Sequence, residues 1–400
     1  MFQFLRKLTL FLDFSYNLTM VNRVEIQPSL LRWAIEESQL PIDEVKEKFP
    51  SIDAWIGKSI NPTYKQVKKL ADFLHVPFGY LFLDEPPEKD ILLAEFRSIA
   101  NKKPMMSKNL EDTLLEMTLK QSWMREYRKN QDDEPLEFVG KFPDANPEDV
   151  KRFIYNALSI RNYWSENAKT YEDAFAILKR QLGVLGILIM QSGIVNAYTH
   201  RKLDIHEFRG FMLLDPYAPL IFVNSNDSKA GMIFTMMHEF IHILIGDEDI
   251  FDTDDEFSHT GMEKVINHIT SMILIPDDVL VEYDFSTDHF LQTINEVAKK
   301  LKVSTLSLAI RLKQKGEISQ SQLEMARKQS IENYEKYASI EKKGAPDFFR
   351  VQNSKLSPFF SEAVINQSLT GEIPFTEAYR LLGVKGASFE KFKEYFFKYA

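Results

Sequence analysis

Cysteine is absent from the 400 residues, which excludes disulfides, thiolate metal sites and cysteine nucleophiles and suits a reducing, intracellular setting. No apolar run reaches membrane-spanning length, and no internal repeat or low-complexity tract occurs. In residues 1–16, Arg6 and Lys7 precede a short apolar run that Asp13 interrupts, without a small-residue cleavage site. That stretch reads neither as a signal peptide nor as a transmembrane helix. An excess of positive charge is also lacking. Lys plus Arg number 49 against 58 Asp plus Glu, a net charge of −9, which argues against whole-molecule attraction to nucleic acid or an anionic membrane but leaves room for a local basic patch. The expectation is a cytoplasmic protein with no membrane partner. At 44% hydrophobic residues over this length, the chain can bury a sizeable core and divide into two or three domains.

Histidine is scarce as well, with eight in the chain, yet two of them fall in His238-Glu239-Phe240-Ile241-His242. Residues four apart on an α-helix lie one above the other, so both imidazoles can reach one metal ion, and Glu239 projects beside it. There Glu239 can take a proton from a water that zinc acidifies to a pKa of roughly 7. Residues 232–245 are apolar apart from Thr235, His238, Glu239 and His242. Such a segment predicts a buried helix with one polar stripe, too short to cross a bilayer. Residues 224–228, Asn-Ser-Asn-Asp-Ser, supply N-cap candidates and Gly246 a stop.

A hydrolytic zinc site needs a third protein ligand. The metzincin extension would place Gly at 245 and His at 248, where the chain has Ile245 and Glu248. A carboxylate on a following helix is the other common solution. Glu263 shares a helical face with Ile266, Asn267, Thr270 and Ile273 and so points inward. The acidic residues between 247 and 256, together with His259 and His268, are rival ligands.

Phe234-Thr235-Met236-Met237-His238-Glu239-Phe240-Ile241-His242 resembles the Phe-Thr-x-x-His-Glu-x-x-His block of the ImmA/IrrE metallopeptidases, and Glu263-x-x-Ile266-Asn267 followed by Leu274-Ile275-Pro276 resembles that family's second block. Phe240-Ile241 and Thr270-Ser271 depart from the usual Leu-Gly and Ala pair. The resemblance implies that His238, His242 and Glu263 hold Zn²⁺ while Glu239 serves as catalytic base, and that the protein substrate is a cytoplasmic transcriptional repressor, cleaved to derepress stress or mobile-element genes. A two-His, one-carboxylate set also suits manganese or iron. For the oxyanion stabiliser, His268, His259 and Tyr198 are the candidates.

Residues 28–84 predict a separate all-α unit with helices near 29–38, 42–49 and 63–74. The stretch from Pro62 to Pro77, with Trp55, resembles Cro/repressor-type (XRE) helix-turn-helix domains and implies a λ-repressor-like fold. The interval from Phe49 to Trp55 is about five residues shorter than usual, and the missing part is what would enter the major groove. Residues 21–90 hold nine Lys plus Arg against twelve Asp plus Glu, whereas a DNA reader needs a basic face. Lys58, Lys65, Lys68 and Lys69 could still contact phosphates, so DNA stays a possible partner behind protein recognition or dimerisation.

Pro86-Pro87 marks a domain edge. A long helix is expected over 107–129, with Ser107 as N-cap and an apolar stripe of Leu110, Leu114, Met117, Leu119, Trp123 and Met124 packing on the catalytic domain. Asn146 and Pro147 open a further helix through 158. A helix over 171–183 and strands near 185–190, 208–214 and 219–223 follow, then helices over 288–302 and 303–312. Residues 342–346 read as a break. The many aromatics beyond it, from Phe348 to Phe397, read as a small core.

The expected organisation is an extension (1–27), the helix-turn-helix-like domain (28–84), a helical connector (85–160), the zinc metallopeptidase domain (161–315) and a helical C-terminal region (316–400). The fold class is α+β: a zincin-like, gluzincin-type core with an N-terminal all-α λ-repressor-like domain and a helical C-terminal extension. The function expected is that of a zinc-dependent endopeptidase. A competing reading is a non-catalytic transcriptional regulator or toxin-antitoxin component whose zinc is structural.

Overall fold

A computed structural model describes residues 23–87, 106–246, 261–286, 289–338 and 347–399. The expected acidic ligands at 247–256, His259, the break at 342–346 and most of the N-terminal extension lie outside them. Two compact units divide the chain between Glu111 and Asp112.

Unit one is helical: α1 (Pro28–Ser38), α2 (Ile42–Lys48), α3 (Ile52–Ile56) and α4 (Tyr64–Leu74), then a 3₁₀ turn at Phe78–Phe82. Thr63 and Gln66 form a reciprocal capping box at the start of α4, satisfying two backbone donors there. Leu30, Leu31, Val45, Ile52, Trp55, Val67, Leu70 and Leu74 make its core, and Trp55 sits on the five-residue α3. Among the four lysines considered for phosphate contact, Lys58 is engaged with Glu25 at 3.4 Å, while Lys65, Lys68 and Lys69 are exposed on α4.

Helix α5 (Lys108–Asn130) follows, with the Ser107 hydroxyl accepting the Leu110 N–H at its start. In unit two its side chains meet the sheet region: Gln121 Nε2 donates to the Leu213 carbonyl at 2.8 Å, and the Arg125 guanidinium lies 3.2 Å from Asp215. The expected apolar stripe needs one correction. Leu114, Met117 and Met124 are buried but Leu119 is 43% exposed, because it falls five positions after Leu114, half a turn from the buried face.

Next come α6 (Pro147–Ala157), capped by the Asn146 side chain, and α7 (Tyr171–Val184), capped by Thr170. The sheet has three strands, β1 (Leu188–Ser192), β2 (Gly210–Leu213) and β3 (Leu220–Asn224), in the order β1-β3-β2. Central β3 is buried along its whole length, parallel to β1 with Leu188 opposite Leu220, and antiparallel to β2 with Gly210 opposite Val223. A strand expected near 185–190 therefore lies about three residues later. Helix α7 runs on to Val184, and Gly186 at φ 97° turns the chain before the strand begins.

Helix α8 (Lys229–Ile245) packs beneath the sheet and is buried from Met232 to Ile245, apart from half-buried Phe234. Gly210 on β2 lets it approach, since a Cβ there would come within 2.4 Å of the Thr235 methyl. Then follow α9 (Gly261–Leu274), the short α10 (Asp277–Leu280), α11 (Phe290–Leu301), α12 (Thr305–Gln314) and α13 (Gln320–Ala338). Finally α14 (Phe348–Lys355), α15 (Pro358–Thr370), α16 (Phe375–Leu382) and α17 (Gly386–Tyr399) form a helical lobe. Phe360, Phe389, Phe392 and Phe396 are its buried aromatics, whereas Phe348, Phe359 and Phe397 remain exposed. Gln191 on β1 ties the lobe to the sheet edge by donating to the Ser354 carbonyl at 2.6 Å.

Candidate metal centre

The site is built on α8 and α9. Ser228 caps α8 by accepting the Gly231 N–H at 3.0 Å, and Gly246 ends it at φ 77°. Between these ends His238, Glu239 and His242 are 4%, 5% and 2% exposed. Three charged or polar side chains this deep in an apolar helix are costly unless something polar meets them. On α9, Ile266, Thr270 and Ile273 are buried, which turns Glu263 of the same stripe toward α8.

The three predicted ligands converge. His238 Nε2 and His242 Nε2 are 3.0 Å apart, His242 Nε2 lies 3.2 Å from Glu263 Oε1, and His238 Nε2 lies 3.5 Å from Glu263 Oε2. Ligand atoms at the corners of a tetrahedron with metal bonds of roughly 2.0–2.1 Å would sit about 3.3–3.4 Å apart. Two imidazoles and a carboxylate at nearly that spacing fit a divalent cation. Among the described residues this trio is the one group of His and carboxylates so placed. Burial pushes the Glu263 carboxyl up, but hydrogen bonds and charge from His238 and His242 outweigh it and hold the group well below the usual carboxylate range. The ring of Phe234 stacks on that of His238 at 6.2 Å, limiting the imidazole's freedom.

Glu239, one residue after His238, completes the buried polar stripe. Two other sequence candidates lie in different surroundings. His268 is on the opposite side of α9 from Glu263, with Nδ1 3.4 Å from the Arg311 guanidinium, and burial followed by the Arg311 charge lowers its pKa. Tyr198 is 47% exposed, its ring 5.9 Å from that of His200.

Sequence reasoning missed the residues that brace the two site helices. The backbone N–H groups of Gly140 and Phe142 donate to the Ile243 and Leu244 carbonyls at 2.9 Å each, satisfying the open end of α8. Trp164 Nε1 donates to the Leu274 carbonyl at 3.2 Å at the end of α9. An isolated glycine and a lone tryptophan carry no local signal for such long-range bonds.

Fold and site together define an α+β domain with a His/His/Glu group on two adjacent helices, spaced so that it could hold a metal ion. Residues 183–313 match the family model described as the IrrE N-terminal-like domain, Peptidase_M78, which supports a metallopeptidase of the ImmA/IrrE type. The match spans the sheet, α8 to α11 and most of α12. Residues 356–395 match a domain of unknown function, DUF8813. No curated protein and no solved structure matches the chain.

Proposed function

We propose that the protein is a zinc-dependent endopeptidase acting on a cytoplasmic transcriptional repressor. The observation that carries this reading is the convergence of His238, His242 and Glu263 within 3.0–3.5 Å of one another, inside the segment matching Peptidase_M78. Those three side chains would hold the ion, with Glu263 supplying the negative charge. When bound, zinc acts as a Lewis acid toward water and toward the scissile carbonyl. Glu239 takes the proton from the attacking water at its carboxylate and returns it to the leaving amine nitrogen, so that no net proton is consumed across the two steps. The apolar walls of α8 keep bulk water from competing for that carboxylate.

The resemblance of the blocks around His238 and Glu263 to the ImmA/IrrE metallopeptidases supports a repressor as substrate, and the helical unit over 28–84 would serve protein recognition or dimerisation. Glu239→Gln tests the reading. Metal content stays near one per chain, and cleavage of a repressor that co-purifies with the variant falls by about 10²–10⁴. Cleavage at the native rate by this variant would remove Glu239 from the reaction, and absence of cleavage by the zinc-loaded native chain would favour a non-catalytic regulator.

A further inference from the structure

Away from the His238 site, unit two has a partly open cavity of about 200 Å³ between the sheet edge, α5 and the C-terminal helical lobe. Met190 of β1, Phe222 of β3, Met117 of α5 and Leu356 give it apolar walls. A neighbouring cavity of about 230 Å³ shares Glu116, Lys120, Asn196 and Arg380 with it. Several of the lobe's contributions, among them Leu356, Tyr379, Arg380, Val384 and Lys385, fall within the segment matching DUF8813.

The charges around it run against the acidic chain. Lys120, Lys355, Arg380 and Lys385 face a single carboxylate, Glu116. Lys120, 4% exposed, already spends its charge on that carboxylate, with Nζ 2.6 Å from Glu116 Oε1. Of the remaining three, only Arg380 has an ion pair among the described residues, a long one with an exposed partner. Lys355 Nζ donates to the Asn196 carbonyl at 3.1 Å and meets no carboxylate within ion-pair distance among the described residues. Burial pushes its ammonium down, Glu116 opposes that shift, and Lys120 adds to it. Arg380 reaches Glu377 only at 4.0 Å, and Lys385 is exposed, with no carboxylate in ion-pair distance among the described residues. A half-buried lysine with no carboxylate in ion-pair distance among the described residues, next to two further cations and an apolar wall, suits a ligand with an anionic head and an apolar body.

We propose that this cavity is a binding site for a small organic anion, its phosphate or carboxylate held by Lys355, Arg380 and Lys385 and its apolar part lying against Met190, Phe222 and Leu356. The volume is below the roughly 300–1,000 Å³ of drug-sized pockets, so the occupant is of the size of an aryl phosphate or carboxylate. Such an occupant joins the C-terminal lobe to β1 and β3, in the same sheet whose β2 packs on α8. The site does not depend on the peptidase reading, and its test does not read activity.

Isothermal titration of the full chain with phenyl phosphate, benzoate, inorganic phosphate and phenol tests it. Phenyl phosphate or benzoate binds one per chain, at least tenfold tighter than inorganic phosphate or phenol and more weakly as salt rises. Lys355→Met and Arg380→Met each weaken it at least tenfold. Because Lys355 also holds a backbone carbonyl, the exposed Arg380→Met and Lys385→Met, with unchanged thermal melting, serve as the variants that leave the fold intact. Failure of both organic anions to saturate, inorganic phosphate binding as tightly as phenyl phosphate, or affinity unmoved by Arg380→Met and Lys385→Met would each overturn the proposal.

Discussion

Gly246 passes so close to Gly140 that a Cβ on Gly246 would lie 2.8 Å from the Gly140 Cα. The relationship is lopsided, since a Cβ on Gly140 would meet the Gly246 Cα at an ordinary 3.7 Å. Both residues have positive φ, 77° and 67°. This crossing lets the segment around Gly140 cap the helix that carries His238 and His242.

Gly246→Ala therefore suffers both the left-handed backbone and the clash. Its unfolding free energy falls by about 2–5 kcal/mol, from roughly 1–2 for the backbone and 1–3 for overpacking. Gly140→Ala suffers only the first and loses about 1–2 kcal/mol. Urea denaturation of the two variants checks the order; equal losses would mean that the segment moves aside without cost.

Glu263→Ala removes the sole carboxylate of the trio. Zinc content measured by elemental analysis drops from about one per chain toward zero. A bound ion stabilises the native state by about 2.7 kcal/mol at a concentration one hundred times its Kd. Chelator thus lowers the Tm of the native chain and leaves that of Glu263→Ala unmoved. A chelator-sensitive Tm in the variant would place the third ligand elsewhere, with the acidic residues between 247 and 256 the first to try.

Much of this was legible in the sequence where the signal is local. Ser228, Asn146 with Pro147, Ser107 and Gly246 mark helix ends by their own chemistry, and each stands at the end expected. The inward placement of Glu263 beside the two histidines was legible because an apolar stripe fixes which way a helix faces. The start of β1 was not. From Val184 to Met190 the chain is apolar apart from Gly186, so periodicity cannot separate the end of α7 from the strand, and pairing of Leu188 with Leu220 decides it. Lys355 and Arg380 likewise carry no mark of a shared cavity. They line one cavity with Met190 and Phe222 only because α14 packs on β1, which sequence spacing does not encode.

Trp164 offers a test of how the second site helix is held. Its indole N–H is buried and donates to the Leu274 carbonyl at the end of α9. Trp164→Phe keeps most of the apolar packing but leaves that carbonyl without the indole donor, at a cost of about 1–3 kcal/mol. Since α9 also carries Glu263, zinc affinity measured by competition with a chelator drops along with stability. Full affinity in a destabilised variant would separate the brace from the metal centre.

Lys179 gives the pH dependence a sign. Its ammonium donates to the carbonyls of Ser354 and Leu356 at 2.7 and 3.1 Å, joining α7 to the end of α14. Burial, with the Lys229 charge added, brings its pKa down from 10.5 to about 7. The folded chain thus disfavours the charged form, and the unfolded chain binds more protons between pH 7 and 10.5. Stability conferred at this position is lowest below pH 7 and rises through that window as the folded-state proton is lost. Tyr171, whose pKa burial raises to about 12, works in the opposite sense above pH 10, so the clean interval is pH 7–10. Urea midpoints of the native chain, taken relative to Lys179→Met, should climb across it. A difference that stays flat from pH 6 to 10 would mean that the ammonium keeps its ordinary pKa and that solvent reaches it where α7 meets α14.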